Sequence, residues 1–252
     1  VKDGLNWYSY CGGNPVTGWD PSGLVEIYGD SSFIINGSEY NLKDKNLVLN
    51  TDDLKFNRTS VIIQNNSNVS IIAFVDEGST IGTADYFLGP YGYDDYISLY
   101  EAVDKGITSF YSGEIGDKKV DTTIIPVKNI YINDNNQKTF SLRYEVKGEF
   151  TGTNYSDQII RMCLIDKRNG NIANLSQYKA DAAHEFGHIL GLEDLYKYNE
   201  YKEILSIMNN QYKIGGKITP MDLEMIIKAY EREEREELMK WSDNRDVIKK
   251  YN

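Results

Sequence analysis

The stretch DAAHEFGHILGLED at 181–194 constrains this chain more than any other, because it holds both of the histidines in 252 residues. His184 and His188 stand four apart, with Glu185 next to the first. Side chains at that separation share a face on an α-helix, so a common role for the two imidazoles requires helix here. The surrounding run, LSQYKADAAHEFGHIL, carries Ala, Phe, Ile and Leu at helical spacings, and Gly191 follows as a C-terminal stop.

If both imidazoles reach one ion, Glu185 lies one position around the helix and points beside that ion. A base acting on water held by a metal belongs there. Two histidines are too few, since a catalytic zinc takes three protein ligands and keeps a fourth position open. Gly191 lets the chain reverse, which brings Asp194 back towards the histidines. Glu193 is the neighbouring rival, and a ligand from a downstream helix would be a glutamate such as Glu203 or Glu224.

Composition excludes other classes. With 27 Lys plus Arg against 38 Asp plus Glu, the net charge of −11 argues against nucleic acid as a partner. No apolar run approaches the roughly 18 to 20 residues that span a membrane, and no secretory signal is visible. The chain starts at Val1 and is expected to be part of something longer. Cys11 and Cys163 form neither a disulfide framework nor a metal knuckle. Cys163, inside IIRMCLI, reads as a small buried residue, and a Cys–His nucleophile pair explains the histidines less well than a shared ion. EREEREEL (231–238) reads as a solvated helix face.

Residues 25–95 are expected to form short strands, LVEIYG, SFIING, SVIIQN and VSIIAFVD, between Asn/Asp/Ser/Gly turns. Tyr96, Leu99, Tyr100 and Val103 then fall at helical spacing before Gly106. KKVDTTIIPV, TFSLRYEV and DQIIRMCLI make a second strand-rich block, with a soft boundary near 95 between the two. In TPMDLEMIIKAY a helix is predicted, with Thr219 as N-cap, Pro220 first, Asp222 third and an apolar face of Leu223, Ile226, Ile227 and Tyr230.

Written as HExxHxxGxxD, residues 184–194 resemble the elongated zinc motif of the metzincin peptidases, whose third ligand is usually histidine and in some members aspartate. The resemblance implies Zn2+ held by His184, His188 and Asp194, with Glu185 as catalytic base; Glu193 is one residue short of the spacing. It implies an α+β fold: a mixed sheet carrying a helix, the active-site helix, and a small C-terminal helical subdomain, here within 96–252 and preceded by the β-rich block 25–95. LSIMNNQY (205–212) looks like the family's methionine turn and puts Met208 beneath the metal. Where some relatives carry a transition-state-stabilising tyrosine this chain has Asn210, which leaves Tyr212 as the candidate. DQIIRMCLI or TFSLRYEV would be the edge strand that pairs with an extended protein or peptide substrate. Aspartate in place of a neutral histidine leaves the site less positive, so a higher pH optimum is expected.

The first residues resemble a second family. GLNWYSYCGGNPVTGWDPSGL (4–24) is similar to the end of an Rhs/YD-repeat core, with its signature at Asp20, Pro21, Ser22, Gly23 and Leu24. In such proteins a repeat shell encloses a toxin and the chain is cut after the signature leucine. The resemblance implies that 1–24 closes a shell, that the remainder is cargo secreted or delivered into target cells, and that a cognate immunity protein exists. Two other functions remain: a non-haem iron oxygenase, which also uses two histidines and a carboxylate, and a binding module in which 25–95 acts and the motif is vestigial.

Overall fold

A computed structural model describes residues 18–19, 25–28, 32–35, 38–41, 46–49, 56–57, 59–64, 66–81, 87–88, 97–132, 135–137, 139–148, 151–166, 174–209, 216–232 and 237–251. The Rhs-like signature Asp20, Pro21, Gly23 and Leu24, and the candidate Tyr212 with Asn210, lie outside the described residues.

The fold is α+β. Its main sheet has the order β4 (Gly113–Ile115), β5 (Lys118–Val127), β3 (Asn68–Asp76), β2 (Ser60–Gln64), β1 (Phe56–Asn57). VSIIAFVD becomes β3, and its run from Val69 to Val75 is buried without alternation, as expected of a strand covered on both faces. β3 runs parallel to β5 and antiparallel to β2. The parallel pair needs a crossover, which contains α1 (Glu77–Ile81) and α2 (Leu99–Tyr111).

In a second sheet, β8 (Ile159–Asp166) lies between β6 (Ser141–Gly148), which is parallel to it, and β7 (Gly152–Asn154), which is antiparallel. The two sheets are spliced where Phe140 bridges Val75, with Asp76 N donating to Phe140 O at 2.8 Å and Phe140 N to Phe74 O at 2.9 Å. Of the two strands expected to supply the substrate-side edge, DQIIRMCLI (β8) is central, while TFSLRYEV (β6) is an edge of this sheet and follows directly on the splice. The antiparallel edge is the short strand β7.

α3 (Leu175–Ile189) carries the histidines, with Asn174 as N-cap. α2 runs through Gly106 to Tyr111, and a Cβ at Gly106 would stand 2.5 Å from the Lys179 carbonyl oxygen of α3. Glycine there lets the two helices touch backbone to backbone. α4 (Pro220–Glu231) starts as predicted, with a reciprocal capping box between Thr219 and Asp222. Of the EREEREEL run, Glu231 closes α4 and Arg232 is extended, while 233–236 lie outside the described residues; α5 (Arg245–Tyr251) ends the fold.

One core cluster extends from Ile62 and Val69 through Phe186 to Trp241 and Ile248. Strands from both sides of position 95 and the C-terminal helices therefore share it. Nearer the N-terminus, Gly18–Trp19, Val25–Tyr28, Ser32–Ile35 and Ser38–Asn41 form an antiparallel sheet. Asn46–Leu49 pairs in parallel with Asn129–Ile132. Among the described residues no helix is long and apolar enough to cross a membrane.

Candidate metal centre

One turn of α3 separates His184 from His188, whose rings stand 5.1 Å apart and perpendicular at 90°. Each ring is oriented by a backbone carbonyl. His184 Nδ1–H donates to Ile207 O at 2.8 Å, and His188 Nδ1–H to Leu192 O at 2.7 Å. A carbonyl only accepts, so each Nδ1 carries a hydrogen; in the neutral imidazole each Nε2 then turns a lone pair to the site, and in the imidazolium it donates to Asp194. Both Nε2 atoms lie 3.2 Å from the same atom, Asp194 Oδ1.

Asp194 arrives there by the reversal at Gly191, whose φ of +97° is left-handed. Gly191 N and Leu192 N cap the last carbonyls of α3, His188 O at 2.9 Å and Gly187 O at 3.0 Å. His184, His188 and Asp194 are all buried, and their ligand atoms lie within 4.8 Å of one another. With neutral imidazoles, three lone pairs point at one another, an arrangement that is repulsive without a positive charge between them. The group could hold a metal ion, and two nitrogens with one carboxylate oxygen suit a divalent transition metal. The same coupling shows in titration. Burial works against charged forms, yet the bonds from His184 and His188 hold Asp194 below the usual carboxylate range. Burial likewise disfavours the His184 imidazolium, but the Asp194 bond and the Glu185 charge outweigh it and raise its pKa.

Glu185 is buried, and its Oε2 accepts from Thr153 Oγ1 at 2.8 Å. The same hydroxyl lies 3.0 Å from the Glu185 carbonyl oxygen, so the edge strand β7 touches the helix at Glu185 through one side chain. Burial raises the Glu185 carboxyl, against the pull of the neighbouring His184 and His188. No spacing pattern in the sequence pointed to Thr153.

The rival carboxylates are engaged elsewhere. Glu193 Oε2 accepts from Tyr198 Oη at 2.6 Å, and its Oε1 is 3.6 Å from Lys197 Nζ. Glu224 takes Lys250 at 2.6 Å and Tyr251 at 2.9 Å, and Glu203 is exposed. Cys163 is buried and outside the group.

Met208 is fully buried, and a Cβ on Gly187 would overlap its sulfur. The turn that carries Met208 hangs from the buried Asp222 carboxylate, which accepts from Ser206 Oγ at 2.5 Å, Ile207 N at 3.2 Å and Thr219 N at 2.8 Å. Met208 O in turn accepts from Leu195 N at 2.7 Å, next to Asp194. The cap of α4 thus also holds the carbonyl that orients His184. Tyr196 stacks on His184 with centroids 6.3 Å apart. Burial, the Asp194 charge and a hydrogen bond to Asp194 push its phenol up to about 12.

No family model matches this chain, and neither the curated proteins nor the solved structures yield a similar one. Its functional reading rests on the geometry of the centre and on the motifs of its sequence.

Proposed function

We propose that this chain is a zinc-dependent endopeptidase and the toxin portion of an Rhs-type bacterial protein, secreted or delivered into target cells. The observation that carries the enzymatic part is the convergence of His184 Nε2, His188 Nε2 and Asp194 Oδ1, with the Glu185 carboxylate alongside. Zinc, when bound, supplies a Lewis acid that polarises a peptide carbonyl and makes water nucleophilic near neutral pH.

The protein's own groups do the rest. Glu185 takes the proton from the attacking water and delivers it to the leaving amine. Its buried position, which raises the carboxyl, suits a group that must hold a proton and then release it. Thr153 fixes one carboxylate oxygen, so the other is left to work. Tyr196 brings a phenol to the ligand set and is an alternative to Tyr212 as the hydroxyl that steadies the transition state. The edge β7 offers backbone to an extended peptide, in the manner of a strand added to a sheet. The delivery reading rests on Asp20-Pro21-Ser22-Gly23-Leu24 and brings with it a repeat shell and an immunity protein as partners.

Elemental analysis of the purified protein, paired with a search for new protein termini in a treated target-cell lysate, tests the proposal. Zinc and new termini are expected. Iron at the site, or no new termini from zinc-loaded protein, would sink it.

A further inference from the structure

We propose that Met239–Trp241, far along the chain from the histidines, is a strap that positions His188 and Asp194, an inference that rests on the metal-centre reading above. The segment lies alongside the loop after α3. Met239 N donates to Gly191 O at 2.7 Å, and Met239 O accepts from Glu193 N at 3.2 Å, which makes a parallel bridge with Leu192. Trp241 Nε1 then donates to Glu193 O at 2.7 Å, from an indole that is fully buried.

These three bonds clamp the peptide groups on either side of Leu192. Leu192 O is the acceptor that orients His188, and the residue after Glu193 is Asp194. Two of the three ligands therefore depend on a loop whose backbone is tied by the strap. Without it, Gly191 O, Glu193 N and Glu193 O would lose their partners at a buried site. The loop would then be free to use the wide conformational range of Gly191. The strap also explains why Glu193 and Asp194 differ: the backbone of Glu193 is held at both its N–H and its C=O, and its carboxylate is taken by Tyr198.

The bland alternative is that Trp241 only fills the C-terminal core. Trp241→Phe keeps a buried ring and removes the N–H. With cobalt(II) as the probe, the variant is expected to bind about tenfold more weakly, the lower end for losing a partner that orients metal ligands. Its visible ligand-field spectrum is expected to change. Val247→Ala, in the same core but off the strap, is expected to lower the melting temperature and leave cobalt affinity unchanged. Equal cobalt affinity and an unchanged spectrum in Trp241→Phe would overturn the strap, whatever its stability. In the wild type, adding cobalt(II)-free zinc is expected to slow hydrogen exchange at the Met239 and Glu193 amides, since a ligand that needs the closed strap favours it. Exchange there that ignores zinc overturns the proposal too. A wild-type protein that binds neither ion would sink the metal-centre reading itself, a result distinct from either of these.

Discussion

The helix-borne half of the centre and its loop-borne half meet at one atom, Asp194 Oδ1, yet they are built in different ways. His184, Glu185 and His188 share one stretch of α3, and their relative placement follows from helical geometry alone. Asp194, Ile207 and Met208 stand on irregular backbone, where each position depends on a bond from elsewhere: Met239 and Trp241 for one loop, Asp222 for the other. On the proposed reading, the regular half carries the reacting groups and the irregular half fixes how precisely they meet.

Substitutions can break that division. The largest effect belongs to Glu185→Ala, which is expected to cut peptide hydrolysis by about 10²- to 10⁴-fold with metal still bound at one ion per chain; turnover close to wild type would remove Glu185 from its role. On the loop side, Asp194→Ala is expected to weaken metal binding by more than about 100-fold, while Glu193→Ala keeps it. The reverse order in a chelator competition would move the third ligand by one residue. Gly187→Ala adds a methyl where Met208 Sδ already sits and is expected to destabilise the fold by about 1–3 kcal/mol, read as a lower denaturation midpoint.

Thr153→Val keeps the branched shape and loses the hydroxyl to Glu185. About a tenfold drop in kcat with unchanged metal content is expected, as for a hydrogen bond to a charged group. The smallest effect is on pH: Asp194→His makes the centre more positive, so the activity optimum is expected to move to lower pH in any variant that retains zinc. An optimum that stays or rises would contradict the electrostatic role given to Asp194.

What was legible in the sequence follows the same division. The spacing of His184 and His188, the stop at Gly191 and the Thr219–Asp222 cap are local signals, and the structure has each where it was expected. The strands SVIIQN, VSIIAFVD and KKVDTTIIPV likewise appear as β2, β3 and β5. Thr153 and Trp241 were invisible, because they meet α3 and its loop across 32 and 48 residues of sequence and carry no periodic signature. Asp222 was read as a cap alone; its second task, holding Ser206 and Ile207, exists only once α4 docks. Gly106 is the opposite case. A glycine inside a helical pattern reads as a breaker, and only the close approach of Lys179 reveals it as a contact point.

The contact between Met208 and Gly187 has one more consequence. Thioethers are common targets of peroxide, and a sulfoxide adds a polar oxygen to the sulfur. At Met208 the side chain is wholly buried and the helix backbone stands against its sulfur, with no room for that atom. An oxidant must first open the turn beneath the histidines before it can react there. The folded centre therefore protects its own methionine, and damage to Met208 would mark molecules that had already come apart.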